Sequence, residues 1–171
     1  MTLTKWNARY GAGDLGPTEP SAFLMETAAS LPPGRVLDLA CGAGRNAVYL
    51  AELGWAVVAV DGSSEALRIL SQRDARIETH RIDLEQEPLP FPDSSFDLVC
   101  IIHFLHRSLF GEARRLVRPG GLVLASIETT HSKMNRAYVV EPGELRTLFA
   151  DWELLIDREA EIAQIAARKP R

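Results

Sequence analysis

From residue 35 to residue 128, short apolar runs alternate with helical stripes, and this alternation restricts the chain more than any other feature. Val36-Leu37-Asp38-Leu39-Ala40 is nearly continuous in apolar character, as a strand covered on both faces must be. Arg45 to Leu53 then sets Val48, Leu50, Ala51 and Leu53 along one helical stripe, which stops at Gly54. Ala56-Val57-Val58-Ala59-Val60 is a second strand, rich in β-branched residues. Ser63 or Ser64 can cap a helix running to about Leu70, and Arg76 to Ile82 reads as a third, weaker strand. Phe96 to Ile102 is the fourth strand, Leu109 to Val117 an amphipathic helix, and Leu122 to Ile127 the fifth strand. Strand–helix repetition of this kind demands a parallel sheet wound right-handedly.

The two ends break the rhythm. Glu19 to Leu31 reads as an extra helix, stopped by Pro32-Pro33-Gly34. Pro142 marks another helix start, followed by Trp152 to Asp157 and Glu161 to Ala167. No helix fits between these last two runs, so they should pair antiparallel. The 171 residues, 46% of them apolar, suit a single domain with one sizeable core. A net charge of -4 gives no electrostatic reason to expect nucleic acid. No run approaches the roughly 20 apolar residues of a membrane span, and the first residues lack the apolar core of a signal peptide. Cys41 and Cys100 each end an apolar run and read as small buried hydrophobes in a reduced, cytoplasmic protein.

The chemistry concentrates after the first strand. Gly42 and Gly44 let the backbone turn sharply and approach a ligand, and the following helix offers free amide hydrogens at its positive end. Alone, Gly-x-Gly-x-x-Ala would equally admit a dinucleotide. Asp38 lies inside the strand, where an unpaired carboxylate is costly and a ligand ammonium group would serve as partner. Asp61, 19 residues after Gly42, can bind both hydroxyls of a ribose. The alternative is that Asp38 caps the glycine loop and Asp61 caps the next helix.

Asp38 to Ala47 resembles motif I of the Rossmann-like (class I) S-adenosylmethionine-dependent methyltransferases. Leu89-Pro-Phe-Pro-Asp-Ser-Ser-Phe-Asp-Leu-Val99 resembles the family's run into strand four, and Leu116-Val-Arg-Pro-Gly-Gly-Leu122 its turn into strand five. Gly-Ala-Gly-Arg45-Asn46, Trp6-Asn7-Ala8-Arg9-Tyr10 and Pro20-Ser21 resemble the tellurite-resistance and thiopurine methyltransferase-like group, whose amino-terminal segment forms a lid. The resemblance implies a three-layer Rossmann-like fold with a mostly parallel seven-stranded sheet and an antiparallel final strand. It also implies S-adenosylmethionine as cofactor. Its contacts would come from Asp38, Ala40, Gly42, Gly44 and Asn46, from Asp61 and Gly62, from Asp83 and Leu84 beside the adenine, and from Arg9 and Tyr10 on the lid. Alternatively, Trp6 and Tyr10 only pack the first helix.

His103, just past strand four, lies where parallel sheets take their ligands and either acts as a general base or lines the pocket. Thr129, Thr130 and His131, just past strand five, should face the same mouth. No Cys/His/acid spacing implies a metal. The short connection to Pro142 leaves room for no substrate subdomain, so the expected partner is a small-molecule acceptor, without nucleic acid or membrane, for a monomer or homodimer. A non-catalytic cofactor-binding module and an NAD-dependent oxidoreductase are the competing readings.

Overall fold

The computed structural model describes residues 2–171. Its contacts fall into two compact units, one ending at Leu89 and one beginning at Pro90.

The first unit holds α1 (Leu3–Gly11), α2 (Ala22–Ala28), β1 (Arg35–Leu39), α3 (Arg45–Glu52), β2 (Ala56–Asp61), α4 (Ser64–Arg73) and β3 (Glu78–Arg81). β1 pairs parallel with β2, from Arg35 opposite Ala56 to Leu39 opposite Val60, and β2 pairs parallel with β3. In the order β3-β2-β1 the apolar run of β1 is covered along its length, with Val36, Leu37 and Leu39 fully buried. Leu50 of α3 and Leu70 of α4 complete that core.

The second unit holds β4 (Phe96–Ile102), α5 (Ser108–Leu116), β5 (Val117–Glu128), a short 3-10 turn (Arg136–Tyr138), α6 (Glu144–Leu148), β6 (Glu153–Glu159) and β7 (Ile162–Arg168). Its strand order is β4-β5-β7-β6. β4 and β5 run parallel, while β7 is antiparallel to both β5 and β6, so the last strand is the reversed one. Phe110 and Phe149 meet edge to face at 6.3 Å, both fully buried; truncating either to alanine would cost about 3–5 kcal/mol. At the start of β5, a Cβ on Gly121 would stand 2.8 Å from the Asp97 carbonyl, so only glycine lets the two strands meet there.

The seven strands, their mixed directions and the alternating helices agree with the fold expected from the sequence. The differences lie at the edges of elements. The helix expected from Glu19 begins only at Ala22, because Ser21 donates its amide to Asn46 Oδ1 (2.9 Å) instead of joining the helix. β3 is shorter than the Arg76–Ile82 run, since Arg76 is held in a turn by Asp74. The segment expected to act as a lid is a regular helix, capped by Thr2 and with no buried residue. Both cysteines are buried.

Candidate active site

After β1 the chain reverses through Ala40, Gly42 and Gly44, all in the left-handed region (φ 57°, 54° and 85°). For Ala40 this conformation costs roughly 1–2 kcal/mol, strain of the sort that collects at ligand sites. The Cys41 amide donates to the Val60 carbonyl (3.0 Å) and so carries the β1–β2 pairing past the strand end. Gly44 sits against α4: a Cβ there would come within 2.2 Å of Leu70 Cδ1. It precedes α3 without any side-chain cap, leaving the first-turn amides to other acceptors.

Two carboxylates face this loop. Asp61 ends β2 and accepts from the Gly42 amide (2.8 Å) through Oδ2 and from the Ser63 amide (2.8 Å) through Oδ1. It therefore ties the glycine loop to the start of α4, with lone-pair capacity left over for a hydroxyl. Asp38 is buried, and its Oδ2 has no hydrogen-bond partner among the described residues. Burial and the nearby Asp61 push its carboxyl up to about 7, against a smaller opposite pull from Arg45. Burial raises Asp61 as well, opposed by the amides of Ser63, Gly42 and Gly62. Tyr10 closes the loop from α1, its hydroxyl 2.7 Å from where a Gly42 Cβ would stand. Burial and Asp61 push that phenol up to about 12. Three acidic groups with raised pKa values mark a cradle that disfavours negative charge and would favour a cationic ligand.

The remaining expected contacts are placed as follows. Asn46 is buried and turned toward the Ser21 amide. Gly62 makes room for α1, since a Cβ would stand 2.4 Å from Leu3 Cδ2. Arg9 bridges to Asp14 at 2.6 Å and lies over the Trp6 ring at 5.1 Å, beside the Trp6–Tyr10 stack. Asp83 and Leu84 follow β3 in a tight turn, where Asp83 Oδ1 accepts from the Glu85 amide and Leu84 is buried. The anchor of α1 is Asn7: its Oδ1 accepts from Ser63 Oγ (2.7 Å) and the Glu65 amide (3.3 Å). Its signal in the sequence is weak, because its partners lie more than 50 residues away.

In the second unit, His103 terminates β4 with φ 55°, a left-handed turn fixed by its amide on the Ser126 carbonyl (2.8 Å). Its Nδ1 stands 3.3 Å from Glu128 Oε1, at the end of β5, and both side chains are partly exposed. The carboxylate orients the ring so that Nε2 is the nitrogen left for a proton. Glu128 went unnoticed in the sequence because nothing local links the ends of two different strands. Thr129 does not open onto the same mouth as His103, contrary to expectation: it is fully buried, and its hydroxyl donates to the Ala160 carbonyl at 2.6 Å. Among the described residues no cluster of three or more His, Cys, Asp or Glu could hold a metal, and no helix is long and apolar enough to cross a membrane.

Residues 36–121, half of the chain, match the family model described as a methyltransferase domain. The chain belongs to that family. The matched stretch of this methyltransferase domain runs from β1 to the start of β5 and so through both units. Over 158 residues it is 28% identical to hemagglutinin 1 of Eikenella corrodens, covering 85% of this chain and 52% of that protein. The crystal structure of TehB from Haemophilus influenzae matches with a TM-score of 0.81 at 22% identity, covering 94% of this chain and 66% of that one. A Burkholderia thailandensis 1,6-didemethyltoxoflavin-N1-methyltransferase, solved with its acceptor and S-adenosylhomocysteine, matches with a TM-score of 0.70 at 22% identity, covering 99% and 87%. The chain spans about half the length of the curated relatives it matches. The methyltransferase domain thus has the class I Rossmann-like fold and stands near the TehB group, as the sequence resemblance implied. S-adenosylmethionine is the cofactor of such proteins, and the cradle fits it. The orphaned Asp38 oxygen suits the ammonium of its methionine part, and the spare lone pairs of Asp61 suit ribose hydroxyls.

Proposed function

We propose that this chain transfers a methyl group from S-adenosylmethionine to a small-molecule acceptor. The observation that carries the reading is the unpartnered Oδ2 of the buried Asp38 carboxylate, at the end of β1 that leads into the glycine loop. A dinucleotide would bring a pyrophosphate to this turn, against the buried Asp38 and the half-buried Asp61; a sulfonium-bearing amino acid brings positive charge and an ammonium donor. When bound, the cofactor supplies a methyl carbon open to in-line displacement, with a neutral thioether as leaving group.

The chain's own residues bind, orient and move a proton. Asp38 holds the ammonium, Asp61 the ribose, the backbone from Ala40 to Gly44 lies along the methionine part, and Asp83 and Leu84 flank the adenine. Tyr10 covers the loop, while Arg9 holds the lid through Asp14, and Asn46 and Gly62 keep α2 and α1 in place around it. His103 lies at the carboxyl end of β4, the side on which parallel sheets take ligands. Held by Glu128, its Nε2 accepts the proton of an oxygen or nitrogen nucleophile as the new bond forms. Positioning alone supplies roughly 7–11 kcal/mol in reactions of this kind. The name of the didemethyltoxoflavin enzyme shows that this fold serves small heterocyclic acceptors in a relative. Only two cysteines, both buried, accord with a reducing cytoplasm.

The test is twofold. S-adenosylhomocysteine should raise the melting temperature and NAD should leave it unchanged. Labelled S-adenosylmethionine should be turned over with a panel of thiols, phenols and amines. Stabilisation by NAD alone would return the chain to the oxidoreductases, and cofactor binding without turnover of any acceptor would make it a binding module.

A further inference from the structure

The segment joining β5 to α6 carries its charge unevenly. From Thr129 to Val140 it contains His131, Lys133 and Arg136 and no carboxylate, in a chain of net charge -4. Its two ends are pinned together: Thr129 and Val140 form an isolated parallel bridge, and the Val140 amide donates to the Glu128 carbonyl at 2.9 Å. Val139 and Val140 are buried, and the Thr129 hydroxyl donates into the β6–β7 turn. Between these anchors every residue from Lys133 to Tyr138 is exposed, including Met134 at 51% and Tyr138 at 41%. A closed-ended loop that shows large apolar side chains to water is built to meet something.

The cations of this loop differ from those around it. Arg107 pairs with Glu144, Arg114 with Asp151, Arg118 with Asp97 and Arg146 with Asp157. Nearby carboxylates are likewise engaged: Glu144 by Arg107 and the Glu141 amide, Glu159 by the Gly143 amide, Glu128 by His103. Lys133 and Arg136 have no ion-pair partner among the described residues.

We propose that this loop recognises the acceptor and selects organic anions. Lys133 and Arg136 take a carboxylate or similar oxyanion handle, and Met134 and Tyr138 cover the apolar body that carries it. The inference rests on the methyltransferase reading above and names its substrate class. The loop leaves β5 at Glu128, the residue that orients His103, so handle and base belong to one strand end. A bare inorganic oxyanion would use the charges and leave the apolar pair idle.

The experiment titrates 2-mercaptobenzoate and its methyl ester into the protein saturated with S-adenosylhomocysteine, by calorimetry. The carboxylate should bind roughly tenfold tighter than the ester, the scale of one charge-assisted contact. In Lys133→Ala/Arg136→Ala this preference should shrink to about twofold or less, with S-adenosylhomocysteine affinity unchanged; Lys133→Arg should keep it. Sulfate should compete only weakly. Equal affinities in the wild type, binding of neither probe up to millimolar concentration, a preference that survives in the double variant, or sulfate competing as well as benzoate would each overturn the proposal. Should S-adenosylhomocysteine itself not bind, the methyltransferase reading falls, while the same titration without it still decides the anion preference.

Discussion

With burial holding the Asp38 carboxyl up to about 7, the folded chain carries a proton that the unfolded chain loses near pH 4. Stability from that proton is fully present below about pH 4 and drains as pH rises through about 7. Between pH 5.5 and 7.5 the loss is about 2 kcal/mol, or roughly 4–8 °C in melting temperature for a chain of this size. Asp61, raised in the same direction, adds to the trend. Asp38→Asn should flatten this dependence while weakening S-adenosylmethionine binding at least tenfold, since about 1.5–3 kcal/mol goes with a charged hydrogen-bond partner. An ammonium group over Asp38 favours the ionised form, so cofactor binding near neutral pH should release a proton. Calorimetry in buffers of different ionisation enthalpy reads that release directly, and its absence would show that the cofactor amine is held elsewhere. At His103 the expected signature is kinetic. His103→Ala should lower kcat by roughly 10²–10⁴ with a protic acceptor and leave cofactor affinity intact. Glu128→Gln should fall between the two and shift the pH–rate profile, a change that a packing role would not produce.

At the level of elements, α1 buries no residue of its own and is held at its centre by the Asn7 side chain on Ser63 and Glu65. Asn7→Ala should loosen the helix by about 1 kcal/mol and take Tyr10 off the glycine loop. Limited proteolysis near the amino terminus should then quicken, with cofactor affinity falling while the global melting temperature moves little. The same helix shows where sequence reading stops. β1, β2 and β4 were legible because a strand covered on both faces must be apolar along its whole length, and Asp38 stood out as the exception within one. The glycine loop and Asp61 followed from their spacing to it. Helix α1 was not legible as a helix, since it is short, buries no residue and depends on a contact 56 positions away. Asn46 fits a glycine-loop pattern in the sequence but is turned toward Ser21, and Glu128 gains its meaning only once β5 is paired with β4.

For the whole molecule, the first consequence is linkage. S-adenosylhomocysteine at about 100 times its dissociation constant should stabilise the fold by about 2.7 kcal/mol, a rise of roughly 5–10 °C. A second consequence concerns crowding rather than chemistry. Among the described residues β6 pairs only with β7, at the edge of the strand order. Glu153, Asp157, Arg158 and Glu159 line this strand, and its register slips between Leu154 and Ile156, which leaves Leu155 exposed at 41%. The slip bends the strand away from flatness, and the charges repel a second copy laid alongside. Removing Leu155 would straighten the ladder into a flush, adhesive border. Light scattering on concentrated samples should then show larger assemblies than the parent chain forms, which would make a single kink in one short strand a guard against edge-to-edge association.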